Sequence, residues 1–203
     1  MRKVFVVFGL IGIIAAVGFW KVASQTSAPA AQVTVGSKVS DLPFTALDGR
    51  STSLYHFAGQ HGALLIFVAT RCPVSNDYNQ RMAELARDYT ARGYAVIGVN
   101  ANRNEPPEEV AQHAAEKGLG FTIVKDLDDK VADLFGASVT PEAFLFDTSW
   151  TLRYHGRIDD SRNPAHITTR DLRVALDAVA DGKPVPVTET KAFGCTIKRL
   201  PRS

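Results

Sequence analysis

Phe67-Val68-Ala69-Thr70-Arg71-Cys72-Pro73-Val74-Ser75-Asn76-Asp77-Tyr78 is the segment on which the architecture of this chain turns. It is entered through the apolar run Ala63-Leu64-Leu65-Ile66-Phe67-Val68, which has the length and composition of a buried strand. Beyond it, Asn76 to Arg92 sets Tyr78, Met82, Leu85, Ala86 and Tyr89 at helical spacing, and Gly93 stops the pattern. Cys72 therefore stands at a strand-to-helix junction. Unpaired N–H groups and the positive end of the helix dipole favour a thiolate there, which is how a cysteine becomes a nucleophile near neutral pH.

Tyr94-Ala95-Val96-Ile97-Gly98-Val99 is a second apolar strand reached through that helix, so a right-handed parallel βαβ unit is the default topology. Pro106-Pro107 opens a helix that runs to Lys117, and Phe121 to Val124 makes a short strand. Asp128 to Phe135 reads as a helix ended by Gly136, with Asp126, Asp128 and Asp129 as a solvated capping cluster. Thr140-Pro141 leads into the strand Glu142 to Asp147, which pairs as a hairpin with Thr151 to Gly156. Thr169 is the expected N-cap of a last helix reaching Ala180. Ahead of all this, Asp48-Gly49 lies between two short extended pieces and signals a β-hairpin. The class is α/β: a central mixed sheet flanked by helices, with an N-terminal hairpin.

The 203 residues are 45% hydrophobic and 22% charged with a net charge of +2, ordinary values for a globular protein. Charges of both signs are interspersed, so nothing suggests a nucleic-acid partner. The N-terminus differs. Met1-Arg2-Lys3 precedes an uncharged apolar run from Val4 to Trp20, the pattern of an export segment whose basic end stays in the cytoplasm. Residues 1–32 are thus expected to be a membrane anchor or cleaved signal with a short linker, placing residues 33–182, the main domain, in the periplasm or another extracytoplasmic space. From Lys183 the chain is different in kind. Pro184 and Pro186 forbid helix, and residues 183–203 read as an extended tail carrying the second of only two cysteines, Cys195. The five histidines form no pair at the short spacing of structural metal sites, so no metal is expected.

Around Cys72 and Thr140-Pro141 the sequence resembles a thioredoxin-fold protein. Phe67 to Ser75 is similar to the active-site segment of membrane-anchored thioredoxin-like proteins and of the redoxin family, which includes alkyl hydroperoxide reductase and thiol-specific antioxidant proteins. Val139-Thr140-Pro141 resembles their cis-proline loop, and the likeness covers residues 36 to 182. It implies a thioredoxin fold, a cis bond before Pro141, and a groove beside Cys72 where a partner's backbone lies. It also implies that Cys72 attacks a disulfide or a peroxide, with no organic cofactor and with electrons from an external dithiol protein.

The departures are specific. A thioredoxin has a second cysteine where Ser75 stands, and a peroxiredoxin has a threonine or serine at the position of Ala69 and a proline at that of Leu65. Arg71 replaces the usual tryptophan, and its guanidinium beside Cys72 would favour the thiolate. Ser75 and the helix start are further candidates to stabilise the sulfur, and Thr70 and Arg157 to supply donors. Sulfenic acid or mixed disulfide at Cys72 needs a second thiol to be resolved, and Cys195 is the internal candidate. Three roles stay open for it: resolving thiol, half of a structural disulfide with Cys72, or a free thiol. The two functional classes are accordingly a thiol-dependent oxidoreductase with a protein disulfide or peroxide as substrate, and a non-catalytic binding module for a protein or metal.

Overall fold

The apolar run becomes β3 (Gly62–Phe67), all six of whose residues are buried. A computed structural model describes residues 32–201; the export segment expected over residues 1–32 lies outside them, apart from Gln32. Among the described residues no helix is long and apolar enough to cross a membrane.

β3 lies between β4 (Tyr94–Asn100) and β7 (Glu142–Phe146) inside a seven-stranded sheet made with β5 (Thr122–Lys125), β8 (Leu152–Gly156) and the hairpin β1 (Pro43–Ala46) and β2 (Ser51–Ser53), in the order β2-β1-β5-β4-β3-β7-β8. The β3–β4 and β4–β5 pairs are parallel, while β7, β8 and the hairpin pair antiparallel, so the sheet is mixed as expected. β4 follows β3 through two helices, α1 (Pro73–Asp77) and α2 (Asn79–Thr90).

Strand alternation divides the core into two layers. Leu64, Ile66 and Val68 face Met82, Leu85 and Tyr89 of α2 together with Leu172, Ala175 and Leu176 of α5 (Asp171–Ala180). Ala63, Leu65 and Phe67 face Leu54, Trp150 and, on α4 (Lys130–Phe135), Val131 and Phe135. A buried leucine on such a strand contributes roughly 1.5–3 kcal/mol of transfer free energy. The central strand thus fixes the position of the loop that follows it.

Three expectations need correction. The helix expected from Asn76 to Arg92 is two helices joined at Tyr78, whose buried side chain reaches away to donate to Asp159 Oδ1 at 2.8 Å while the Arg81 guanidinium lies over its ring. The last helix begins at Asp171 with Arg170, not Thr169, at the N-cap position; Thr169 Oγ1 instead donates to the Asp171 carboxylate. The aspartate cluster splits. Asp128 stays exposed, but Asp126 is buried and accepts from the N–H groups of Val131 and Ala132, and buried Asp129 accepts from Leu200 N.

Candidate redox site

Cys72 occupies the N-cap position of α1 with extended backbone angles, and Pro73, lacking an N–H and preset to a helical φ, is at the first position. Its sulfur accepts from Ser75 N at 3.2 Å and lies 3.4 Å from the Thr140 carbonyl oxygen. Cys72 is only 3% exposed. The Thr140–Pro141 bond is cis, and this step joins β6 (Val139–Thr140) to β7.

The second cysteine arrives from the far end of the chain. After α5 the extended tail runs along the edge of β8, where His155 N donates to Thr188 O and Thr190 N to His155 O. Thr190 passes so close to Gly156 that a Cβ there would lie 2.4 Å from the Thr190 carbonyl oxygen. The tail then forms β9 (Cys195–Thr196), antiparallel to β6, and Cys195 is joined to Cys72 in a disulfide with the Cα atoms 5.8 Å apart.

Four residues singled out from sequence are therefore together: Cys72, Cys195, Ser75 and Pro141. Ser75 contributes its amide to the sulfur, while its hydroxyl turns away and accepts from Ala69 N at 3.3 Å. Thr70 and Arg71 flank the site but are committed elsewhere. Thr70 Oγ1 and the Arg71 guanidinium both donate to Glu109 on α3 (Pro107–Glu116), and these bonds hold the Glu109 carboxyl down at about 2. Arg157 is bound to Asp171 through Nε at 2.8 Å, and its amide donates to Thr190 Oγ1. Among the described residues no cluster of three or more His, Cys, Asp or Glu side chains could hold a metal.

Sequence reasoning missed the acids that hold the two loops. Glu105, 2% exposed, accepts from the amides of Thr70 and Arg71 at 3.0 Å each and from Asn100 Nδ2 at 2.6 Å. Beneath it, buried Lys125 donates to Asn100 Oδ1 and to the carbonyls of Asn102 and Glu105; burial pushes its ammonium below the ordinary lysine range, and Glu105 opposes that shift. On the other side, buried Glu142 accepts from Ser138 N and Val139 N and pairs with His155 Nε2 at 2.6 Å. The available signal was position: Glu142 opens β7 and Glu105 lies in the loop that follows β4, and loops at strand ends carry sites in α/β sheets.

Glu142→Ala removes the acceptor for two loop amides and is expected to lower stability by about 1–3 kcal/mol. Urea unfolding of the full chain reads it. Glu142→Gln, which keeps an acceptor oxygen, is expected to lose less; equal losses would contradict this role.

Comparisons with known proteins agree with this geometry. Residues 35–155 match the model of the AhpC/TSA family. The thiol-disulfide oxidoreductase ResA of Geobacillus thermodenitrificans is 34% identical over 115 residues, 57% of this chain and 64% of that protein, so the match spans just under two thirds of the relative's length. An uncharacterized conserved protein from Geobacillus kaustophilus superimposes with a TM-score of 0.78 at 27% identity, covering 86% of this chain and 96% of the other. A secreted Mycobacterium tuberculosis disulfide oxidoreductase superimposes with a TM-score of 0.53 at 17% identity, covering 68% of this chain and 95% of the other. That last likeness is one of fold. The architecture is the thioredoxin fold.

Proposed function

The chain belongs to the AhpC/TSA family, and from that premise we propose that it is a thiol-disulfide oxidoreductase whose working couple is Cys72 and Cys195. One observation carries this: a disulfide between residues 123 apart in sequence, seated beside a cis-proline loop. In the reduced protein the Cys72 thiolate, held by Ser75 N, attacks one sulfur of a partner disulfide and the other leaves as a thiolate. Cys195 then attacks the Cys72 sulfur and expels the partner, closing the bridge. A second dithiol protein returns both cysteines to thiols, and no organic cofactor takes part.

Peroxide reduction has less support. A peroxide needs donors aimed at its oxygens beside the sulfur, yet Thr70 Oγ1 and the Arg71 guanidinium donate to Glu109 and Arg157 Nε donates to Asp171. The remaining parts of the reading follow from sequence. Residues 1–32 carry the chain across the cytoplasmic membrane and tether it there, residues 33–182 act outside, and residues 183–203 bring the second thiol, in a compartment where disulfides persist.

Equilibration of the full chain with graded dithiol buffers, followed by differential alkylation and mass measurement, tests the couple. The bridge is expected to open with a midpoint more oxidising than about −300 mV, and the reduced protein to reduce insulin without consuming hydrogen peroxide. A bridge that stays closed below that potential is a structural cross-link, and the reading fails.

A further inference from the structure

The tail meets the cis-proline loop as a partner's chain would meet it. Cys195 lies opposite Thr140 and Thr196 opposite Val139, and the ladder continues where Ile197 N donates to Ser138 O at 3.0 Å. An extended strand, hydrogen-bonded to the loop, with its own cysteine joined to Cys72, is the arrangement that a mixed disulfide with a second protein would require. Here the strand belongs to the same chain.

We propose, resting on the exchange reading above, that Phe193-Gly194-Cys195-Thr196-Ile197 is an internal copy of the partner's segment. The partner is a protein with an extended strand in which glycine immediately precedes the reactive cysteine and an aliphatic residue follows two positions after it. Partner and tail occupy the same groove in turn.

The demand for glycine is steric. A Cβ on Gly194 would lie 2.0 Å from the Thr140 carbonyl oxygen and 2.6 Å from its carbon. Both are backbone atoms of the loop that carries the cis bond, so they cannot swing aside as a side chain would. Ile197 is 4% exposed and packs in the core layer that holds Phe135 and Ala137, which defines an aliphatic subsite. Thr196, between the two, is exposed and imposes little. Phe193 is half-buried with its ring edge-on to Tyr78 at 6.2 Å, a further apolar contact ahead of the glycine. Backbone pairing thus supplies affinity, and the alternating side chains supply selectivity.

The exchange is balanced without another reactant. The Cys72 thiolate bonds to the partner's cysteine, whose former disulfide mate leaves as a thiolate. When the tail returns, Cys195 thiolate bonds to Cys72, the mixed disulfide breaks, and the partner's cysteine departs with the electron pair.

The full chain carrying Cys195→Ser, reduced at Cys72, tests this with synthetic peptides Phe-Gly-Cys-Thr-Ile and Phe-Ala-Cys-Thr-Ile. Each is activated as a disulfide with a chromogenic aromatic thiol, whose release is timed. The glycine peptide is expected to react at least about tenfold faster than the alanine peptide, and a glycine peptide with aspartate for isoleucine to be slowed similarly. A small symmetric aromatic disulfide serves as control. If it reacts and the peptides show no difference, the template idea is overturned while the exchange reading stands; if it too fails to react, both fall. In a chain keeping both cysteines, Gly194→Val should lower the dithiol concentration for half-reduction of the bridge by at least about tenfold, and an unchanged midpoint also overturns the proposal.

Discussion

Serine in place of Cys72 is expected to stop disulfide reduction, lowering the rate by on the order of 10³-fold or more, as removal of a nucleophile does. Serine in place of Cys195 is expected to leave the first step intact and block the second. Both variants lose the same cross-link, which closes 123 residues and in the chain-entropy picture contributes roughly 4–5 kcal/mol. Any loss of activity due to weaker folding is therefore shared, and the difference between them reports chemistry. Cys72 sits at the start of α1 with the Ser75 amide on its sulfur, whereas Cys195 is paired with β6 and has no N–H donor to its own sulfur among the described hydrogen bonds. A stalled adduct between Cys72 and the substrate should accumulate in Cys195→Ser, visible as a mass increase that a dithiol reverses. Equal inactivation of the two variants with no adduct in either would refute the assigned order of attack.

The fold was legible because its strongest signals are local. Apolar runs such as Ala63 to Val68 and Tyr94 to Val99 become central strands whatever surrounds them, and the hairpin was marked by Asp48-Gly49. The family resemblance pointed to the cis bond before Pro141, which composition alone does not imply. What escaped was tertiary. Helical spacing through Tyr78 gave no hint of a break, and the contact that Tyr78 makes at the junction is with Asp159, 81 residues away. Nor could spacing show that the Arg71 guanidinium would be taken by Glu109, or that the tail would add a strand to β6 and bring Cys195 within bonding distance of Cys72. Nothing in the sequence marked Glu105 or Glu142 as the acceptors of the Thr70, Arg71, Ser138 and Val139 amides, because those loops meet the acids only in the folded chain.

Glu105→Ala is expected to be the most destabilising single change at the site short of the cysteines, at about 3–5 kcal/mol, the range for breaking a buried charged network by removing one member. One carboxylate satisfies the Thr70 and Arg71 amides and the Asn100 side chain, at 2% exposure. Its loss takes the acceptor from the part-buried Thr70 and Arg71 amides, leaves Asn100 Nδ2 with the Val68 carbonyl alone, and leaves the Lys125 ammonium without the negative charge that favours it. The pH dependence follows. Burial already sets the folded pKa of Lys125 below its unfolded value, so stability is reduced while the lysine is charged and recovers as pH rises through the folded pKa. Without Glu105 that pKa falls further. The difference between variant and parent should therefore be largest near neutral pH and shrink toward alkaline pH, as measured by urea unfolding of the oxidised full chain. Glu105→Gln, which retains one acceptor oxygen but not the charge, should fall between the two. A loss under about 1 kcal/mol for alanine, or a difference that does not vary with pH, would show that the turn carrying Cys72 is held by β3 and α1 alone. The carboxylate would then be a passenger in the loop and not its anchor.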